Sequence, residues 1–305
     1  MVTKAEKIWF DGEFIPWDDA KVHVLTHTLH YGVGVFEGIR CYKLHDGGSA
    51  IFRLAEHIKR LAESAHIVQM PLPWSEEVIM EACIEAVRVN KLDECYIRPL
   101  AFVGAGAMGL RATSNPTHLA VVAWPWGSYL GDEGLKQGIR AKVSSFARAG
   151  VNSLMAKGKI CGHYVNSVLA NREALQSGYD EAILLDPQGY VCEASGENIF
   201  VVREGRLATA STGASILGGI TRNTIFELCE ELDLSMEQRL ISRDELYIAD
   251  EVFMVGTAAE VTPVREIDDR SIGTGEPGPI TRQIQDRYFE VVRGKNTPER
   301  WLSRI

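Results

Sequence analysis

Residues 181–210 read EAILLDPQGYVCEASGENIFVVREGRLATA, a stretch in which short apolar runs flank two turn signals. The first turn signal is Pro-Gln-Gly at 187–189 and the second is Arg-Glu-Gly at 203–205. Because glycine and proline between apolar runs favour chain reversal, the stretch predicts two consecutive β-hairpins. Hairpins join antiparallel strands directly, whereas parallel strands need long crossovers. This stretch therefore predicts an antiparallel or mixed sheet.

The segments on either side extend the same pattern. An Asp-Gly turn in IWFDGEFIPW, residues 8–17, predicts another hairpin. Helical periodicity predicts inward-facing residues on two helices. These residues are Leu54, Ile58, Leu61 and Ala65 on one helix and Ile79, Ala82, Cys83, Ala86 and Val87 on the next. Further strands are predicted at 50–52, 95–103, 118–124, 138–146 and 250–264, and further helices at 221–234 and 279–294. Strands outnumber the helices that could cross between them, so the fold class is α+β with mixed sheets.

Length and composition indicate an ordinary globular protein of about two domains. The chain has 305 residues, of which 46% are hydrophobic and 24% charged. We predict a small N-terminal α+β domain at 1–125, a turn-rich interdomain loop at 126–136 and a larger C-terminal domain at 137–305. The net charge of −9 argues against a general nucleic-acid or anionic-membrane surface.

Targeting and redox signals predict a cytoplasmic protein. The N-terminal stretch MVTKAEKIWFDGEF lacks the apolar core of a signal peptide. No apolar run approaches the ~20 residues that cross a bilayer. The six cysteines include no C-x-x-C pair, which predicts reduced and mostly buried thiols. They are Cys41, Cys83, Cys95, Cys161, Cys192 and Cys229.

Two motifs are weak candidates for other chemistry. Gly104-Ala-Gly-Ala-Met-Gly109 matches the dinucleotide pattern G-x-G-x-x-G, but Pro116 and its Ser-Asn neighbours oppose the helix that such a site requires. His23, His27 and His30 would share a face on a helix and could bind zinc. We therefore predict a loop at Gly104–Gly109. We predict no metal at the three histidines, since no nearby carboxylate or cysteine completes that set.

Lys157 and Lys159 raise the main chemical question. They lie two residues apart in MAKGKICGHYVNSVLANREAL, residues 155–175, before a predicted helix that begins near Tyr164. A surface turn is one interpretation, and a lysine that forms a Schiff base with pyridoxal phosphate (PLP) is the other. Strand spacing would place both lysines on one face, so the spacing does not distinguish them.

PLP requires an acidic partner for its ring nitrogen and an anion site for its phosphate. Glu193 and Glu197 are candidates for the first requirement, although each could be a solvated carboxylate. The run Leu217-Gly-Gly-Ile-Thr221 leads directly into a predicted helix, where Thr221 can act as the cap. An ordinary turn capped by threonine, with no anion site, would have the same sequence pattern.

Three segments together resemble the signature of the class IV, or fold type IV, PLP aminotransferases. They are EASGENIF at 193–200, LAT at 207–209 and LGGITR at 217–222. VHVLTHTLHYGVGVFEGIRCY, YIRPLAFVG, AWPWGSYLG and EVFMVGTAAEVTPV are similar to bacterial branched-chain aminotransferases. The resemblance runs from about Ile8 to the C-terminal helix. It implies a two-domain fold type IV enzyme whose larger domain contains mixed sheets or a barrel.

The resemblance implies a role for each matching residue. Lys159 would form the aldimine with PLP and then move the proton between substrate Cα and cofactor, although this chain has Ile160, Cys161 and His163 where the family has small residues. The other implied cofactor contacts are Arg60, Tyr164, Glu193, Leu217, Gly219, Ile220, Thr221 and Thr257. The implied substrate contacts are Tyr31, Phe36, Tyr96, Arg98, Leu110, Trp126, Tyr129, Thr257 and Ala258. Arg98 would accept the distal carboxylate of glutamate.

The implied reaction is ping-pong transamination of L-leucine, L-isoleucine and L-valine with 2-oxoglutarate. Part of the implied pocket comes from a partner subunit, so a homo-oligomer is expected, at least a dimer and up to a hexamer. A D-amino-acid aminotransferase or an aminodeoxychorismate lyase would share the lysine and the signature. A nicotinamide-dependent dehydrogenase and a catalytically inactive binding protein are the alternatives of other classes.

Overall fold

The computed structural model describes residues 2–127 and 129–305. Met1, in the predicted N-terminal domain, and Ser128, in the predicted interdomain loop, lie outside the described residues. The strands are β1 (Lys7–Phe10), β2 (Glu13–Pro16), β3 (Gly34–Phe36), β4 (Ile39–Lys43), β5 (Ser49–Phe52), β6 (Cys95–Val103), β7 (Thr117–Trp124), β8 (Ile139–Val143), β9 (Glu181–Leu185), β10 (Val191–Ala194), β11 (Asn198–Arg203), β12 (Arg206–Thr209), β13 (Met236–Gln238), β14 (Glu251–Gly256), β15 (Glu260–Ile267), β16 (Arg270–Ser271) and β17 (Leu302–Arg304). The helices are α1 (His27–Tyr31), α2 (Leu54–Ile67), α3 (Glu76–Val89), α4 (Gly131–Gln137), α5 (Tyr164–Gln176), α6 (Ile220–Glu231), α7 (Arg243–Tyr247) and α8 (Pro279–Val292).

The chain divides into two compact units. The first unit comprises the described residues of 1–127 together with 158–163 and 291–305. The second unit comprises the described residues of 128–157 together with 164–290. The short segment 158–163 places Lys159 in the same unit as Arg60, while Glu193 and Thr221 belong to the second unit.

The first unit is built on an antiparallel sheet. Its strand order is β17-β5-β4-β6-β7-β1-β2, and β3 pairs with β6. Helices α2 and α3 pack against each other, and both contribute to the core cluster that includes the central strands. Every inward-facing residue that the helical periodicity predicts on α2 and α3 is buried, which confirms both amphipathic helices. The chain begins α3 with the Ser75 cap, whose side chain accepts a hydrogen bond from the Val78 N–H.

The second unit is built on a mixed sheet. Its strand order is β10-β9-β8-β15-β14-β11-β12-β13, and β16 pairs with β15. The predicted hairpins at 181–210 are confirmed as the antiparallel pairs β9–β10 and β11–β12. Strand β8 is parallel to both β9 and β15, and β12 is parallel to β13. The two sheets and their helices confirm the α+β class.

Helix α5 follows the two lysines, as the sequence predicts. The face that it buries carries small residues, whereas its large apolar residues lie on an exposed face. Ser167, Ala170 and Ala174 are buried, and the two alanines pack with strand residues of β9. Val165 and Leu169 are exposed, at 64% and 42%. Small side chains on the inner face allow the helix backbone to lie close to the sheet.

All six cysteines carry free thiols, and five of them are buried. This confirms the prediction of reduced thiols that are mostly buried. In the described part of the chain, no helix has the length and apolar character that crossing a membrane requires.

Candidate active site

The segment that carries Lys159 lies along strand β3. Val35 and Ile160 form an antiparallel bridge, and the Phe36 N–H donates to the Lys159 carbonyl over 3.1 Å. The Lys159 N–H donates to Ser64 Oγ on α2 over 2.9 Å. The Lys159 Nζ lies 5.0 Å from the centre of the Phe36 ring. Both backbone polar groups of Lys159 are therefore held, and its half-buried side chain starts from a fixed position.

Glycines permit two close approaches in this region. Gly32 has a φ of +72°, and a Cβ there would lie 3.0 Å from Gly162 Cα, one turn beyond Lys159. A Cβ on Gly38 would lie 1.8 Å from the Tyr96 hydroxyl oxygen. Glycine at position 38 therefore makes room for the Tyr96 side chain, which packs edge-on against Trp126 with ring centres 4.4 Å apart.

Arg60 on α2 is held by the buried carboxylate of Glu37, which directly follows strand β3 in the same unit. Glu37 Oε1 accepts from Arg60 Nε over 2.7 Å, and Glu37 Oε2 accepts from Arg60 Nη2 over 2.9 Å. His57, one turn before Arg60 on α2, contacts Glu37 Oε2 through Nδ1 over 2.7 Å. The side chains of Glu37 and His57 are 0% and 2% exposed. This two-bond geometry fixes the plane of the Arg60 guanidinium.

The titration of the two partners follows from this arrangement. Burial raises the pKa of Glu37, but the charge of Arg60 and the hydrogen bonds from His57 and Arg60 outweigh it and hold that pKa well below its ordinary value. Burial lowers the pKa of His57, and the positive charges of Arg60 and Lys159 lower it further against the opposing effect of Glu37. His57 is therefore neutral in the folded protein at neutral pH.

The neutral His57 predicts a loss of stability as the pH falls below its ordinary pKa of 6.5. Because the pKa of His57 is lowered in the folded protein, the unfolded chain binds a proton at His57 more readily than the native protein does below that pH. The free energy of unfolding should therefore fall by up to about 1.4 kcal/mol per pH unit from this group alone. Urea unfolding between pH 5 and 8 measures the slope. His57→Gln should give a shallower slope than wild type, and equal slopes for the two proteins would contradict the prediction.

Arg98 lies on β6 among aromatic rings. Its Cζ is 4.7 Å from the centre of the Phe36 ring, 5.4 Å from that of Tyr96 and 6.0 Å from that of Trp124. Its Nε is buried and has no hydrogen-bond partner among the described residues. A half-buried guanidinium in an aromatic pocket can bind an anionic group while the rings bind apolar surface.

Glu193 is a buried carboxylate of the second unit. Its side chain is 5% exposed, and Oε1 lies 2.7 Å from Arg148 Nη2. Its Oε2 accepts from the Leu217 N–H over 3.0 Å and from Asn198 Nδ2 over 3.2 Å. Asn198 also donates to the Leu217 carbonyl over 3.0 Å. These contacts hold the buried carboxylate and tie it to the residues that lead into helix α6.

The turn before α6 differs from the prediction in one detail. Gly219 occupies the N-cap position and Ile220 is the first helical residue, so the predicted cap at Thr221 is wrong. Thr221 is buried in the first turn. A Cβ on Gly219 would lie 2.0 Å from Asn198 Oδ1, which explains why a side-chain cap is excluded there. The backbone N–H groups of this first turn provide the donors that an anion requires.

Lys157 has different surroundings from Lys159. Its Nζ donates to the carbonyls of Thr212, Ile216 and Ala214 over 2.5, 3.1 and 3.4 Å. Burial lowers the pKa of Lys157 from its ordinary value, and the charge of Glu193 partly opposes this. The lysines are not on one strand, so the shared face suggested by strand spacing is wrong. Lys157 belongs to the second unit, beside the loop before Leu217.

The remaining predicted site residues occupy several elements. In the first unit Tyr31 is 39% exposed on α1, and Leu110 is 89% exposed just after the Gly104–Gly109 segment. In the second unit Tyr164 begins α5, and Tyr129 is exposed shortly before α4. Thr257 and Ala258 form the turn between β14 and β15, which confirms a strand pair at 250–264.

The two weak motifs have structural roles. Residues 104–116 contain turns and bends rather than the helix that a dinucleotide site needs, so the loop interpretation of Gly104–Gly109 is confirmed. His27 Nε2 contacts the Gly109 carbonyl and His30 Nε2 contacts the Val24 carbonyl. Among the described residues, no group of three or more His, Cys, Asp or Glu side chains could hold a metal ion.

Several supporting residues had not been identified from the sequence. Glu37 stands in the apolar run GVGVFEGI, and a charged residue inside such a run needs a buried cation as partner. His57 and Arg60 have the helical i, i+3 spacing that presents both to one partner. Those two signals together could have predicted the ion pair. Arg148 lacks a comparable signal because Glu193 is distant in sequence, and so does the contact of Ser64 with Lys159.

Comparison with known proteins assigns the family. Residues 34–267 match the family model of the class IV amino-transferases. The chain is 53% identical over 295 residues to the branched-chain-amino-acid aminotransferase of Pseudomonas aeruginosa, covering 97% of this chain and 95% of that protein. The chain therefore belongs to the class IV aminotransferases and, within them, to the branched-chain-amino-acid aminotransferase family.

Solved structures agree over the whole length. The crystal structure of the Escherichia coli branched-chain aminotransferase has a TM-score of 0.96 at 47% identity and covers 99% of both chains. The branched-chain aminotransferase from T.th., in complex with N-(5'-phosphopyridoxyl)-L-glutamate, has a TM-score of 0.92 at 46% identity, also covering 99% of both chains. The fold type IV expectation is thereby confirmed.

Proposed function

We propose that this chain transfers the amino group of L-leucine, L-isoleucine or L-valine to 2-oxoglutarate, with pyridoxal 5'-phosphate attached to Lys159. The products are the branched 2-oxo acids and L-glutamate, formed in two alternating half-reactions. The family membership and the phosphopyridoxyl-glutamate bound to the T.th. relative support the cofactor and the second substrate. The cytoplasmic location and the homo-oligomer remain predictions from the sequence.

The observation that carries this proposal is the position of Arg98 among three aromatic rings. The two amino-acid substrates differ because one has a branched aliphatic side chain and the other has a γ-carboxylate. The rings of Phe36, Tyr96 and Trp124 around Arg98 can bury aliphatic groups, which stabilises binding by about 1.5–3 kcal/mol per side chain. The Arg98 guanidinium can pair with the γ-carboxylate. One pocket can therefore serve both half-reactions.

The residues present fit a phosphorylated pyridine aldehyde. Lys159 supplies a primary amine, Arg60 a guanidinium in a fixed plane, and Glu193 a buried carboxylate held by Arg148. When bound, pyridoxal 5'-phosphate supplies an electron sink for the bonding pair at the substrate Cα. A carboxylate at the ring nitrogen keeps that nitrogen protonated, which is the role that we assign to Glu193.

Each other residue has a separate task in this proposal. Lys159 would hold the cofactor through its Nζ and would accept the proton that leaves the substrate Cα. Tyr164 donates to the phenolic oxygen, and Arg60 binds the phosphate with the α6 N–H groups near Ile220 and Thr221. Thr257, Ala258 and Tyr96 bind the substrate α-carboxylate. Tyr31, Leu110, Trp126 and Tyr129 complete the apolar wall.

A half-reaction spectrum tests the proposal most directly. Purified holoenzyme is mixed with L-leucine in the absence of any keto acid, and the yellow absorption of the bound cofactor is followed. We expect the yellow band to disappear with L-leucine and to persist with D-alanine. A response to D-alanine alone would contradict the substrate assignment and favour a D-amino-acid aminotransferase. A protein that gains no yellow band after incubation with PLP would contradict the cofactor.

Arg98→Ala should separate the two substrates. The KM for glutamate should rise by at least about 30-fold, because removing one member of a charge pair costs about 2 kcal/mol or more. The KM for leucine should change much less, since leucine has no second carboxylate. Steady-state kinetics with each amino acid measure both values. Equal losses for leucine and glutamate would contradict the role of Arg98.

A further inference from the structure

The backbone of Lys159 and the side chain of Arg60 belong to one closed hydrogen-bonded circuit in the first unit. The Lys159 carbonyl accepts from the Phe36 N–H over 3.1 Å, and the next residue, Glu37, holds Arg60 through two hydrogen bonds. On the other side, Ser64 Oγ donates to the Arg60 carbonyl over 2.7 Å and accepts from the Lys159 N–H over 2.9 Å. The circuit thus reaches Arg60 from Lys159 by two independent routes.

We infer that Glu37 and Ser64 are positioning residues that fix the separation between the Lys159 amine and the Arg60 guanidinium. This inference rests on the proposed function, in which Lys159 binds the aldehyde and Arg60 binds the phosphate of one rigid molecule. A ligand with two fixed ends binds well only when its two partners stand at the matching distance. Glu37 sets the plane of the guanidinium, and Ser64 sets the position of the Lys159 backbone relative to helix α2.

Stability alone does not account for this arrangement. Glu37 and Ser64 are both 0% exposed, so each polar group is removed completely from water. A buried ion pair is often no more stabilising than apolar side chains of similar size, because the cost of desolvation offsets the attraction. Alanine at position 64 would be a better helix former than serine. We therefore attribute the polar residues at positions 37 and 64 to the geometry that they impose on Lys159 and Arg60.

The comparison of PLP with pyridoxal, which lacks the phosphate, tests this inference. Full-length apoenzyme of each variant is titrated with either compound, and the absorbance of the bound cofactor gives two dissociation constants. The informative quantity is the ratio of these two constants. Pyridoxal can bind only through its aldehyde at Lys159, whereas PLP also binds through its phosphate at Arg60. Thermal unfolding of the same apoenzymes reports separately on structure.

Ser64→Ala should lower the preference for PLP over pyridoxal by roughly 2- to 10-fold, the effect of one lost hydrogen bond. Ser49→Ala is the matched control, because Ser49 is also buried in the first unit and its Oγ donates to the Asp93 carbonyl over 2.7 Å, outside the circuit. That control should keep the wild-type ratio. Glu37→Gln should lower the ratio further, since in either orientation its amide N–H₂ would face a donor of Arg60 or His57.

The outcomes separate this inference from the proposed function. If Ser64→Ala weakens both compounds equally or keeps the wild-type ratio, Ser64 has a purely structural role and the inference is overturned. If Glu37→Gln does not fold, Ser64→Ala with its control decides the question. If wild type itself binds PLP and pyridoxal equally, the phosphate role of Arg60 in the proposed function fails. A normal wild-type preference that falls in Ser64→Ala and persists in Ser49→Ala supports the inference.

Discussion

Lys159→Ala should lower the rate of transamination by about 10³-fold or more and remove the yellow band of the bound cofactor. The loss is large because the same amine is assigned the covalent attachment and the proton transfer at the substrate Cα. The carbonyl and N–H of Lys159 are hydrogen-bonded to Phe36 and Ser64, so the alanine variant keeps these backbone contacts. Single-turnover kinetics and the absorption spectrum after incubation with PLP measure both effects.

Lys157→Ala is the matched control for this experiment. Lys157 donates to three backbone carbonyls of the loop before Leu217, and alanine removes those contacts without removing the proposed nucleophile. We expect the yellow band to remain and the activity to stay within about tenfold of wild type. The reverse result, with Lys157→Ala inactive and Lys159→Ala yellow and active, would overturn the choice of lysine.

Glu37→Ala should destabilise the protein by about 3–5 kcal/mol, the usual cost of removing one member of a buried ion pair. The variant leaves the Arg60 guanidinium and His57 Nδ1 facing a cavity in place of a carboxylate. Urea unfolding of the apoenzyme at pH 7.5 gives the free energy directly. Adding Arg60→Met to the same chain should recover part of the loss, because the double variant has no unpaired buried charge.

Glu85→Ala provides the comparison at the surface. Glu85 pairs with Arg88 over 2.7 Å in the same unit, but both side chains are partly accessible to water. Its removal should cost less than about 1 kcal/mol. Similar costs for Glu37→Ala and Glu85→Ala would mean that the unpaired charge left by Glu37→Ala carries no penalty from burial, and would contradict this prediction.

Much of the fold could be predicted because the decisive signals are local. The hairpins at 181–210 follow from turn residues between apolar runs, and the buried faces of α2 and α3 follow from helical periodicity. Helix α5 shows the limit of such signals. Its position was predicted, but the backbone packs closely through Ala170 and Ala174 while Val165 stays exposed, so hydrophobicity alone did not indicate the inner face.

The candidate site could be predicted in part. Lys159, Arg60 and Glu193 are assigned through motifs, whose matching depends only on the order of residues, and their roles stay predictions. The cap at Thr221 was wrong because the sequence does not show that Asn198 leaves no space for a side chain at Gly219. The Glu37 pair was missed although a charge in an apolar run and the spacing of His57 and Arg60 indicate it. Arg148 was missed because its ion pair with Glu193, far along the chain, leaves no periodic signal.

The order of residues was enough to predict the α+β class, the family motifs and the types of reactive group: an amine, a guanidinium and a carboxylate. Folding in three dimensions determines which lysine lies beside strand β3, because the segment 158–163 returns to the first unit while Lys157 remains in the second. Only the tertiary structure joined Lys159 to Arg60 through Ser64 and Glu37. The physical reason is that hydrogen bonds and ion pairs depend on distances of about 3 Å, which chain folding sets between residues remote in sequence.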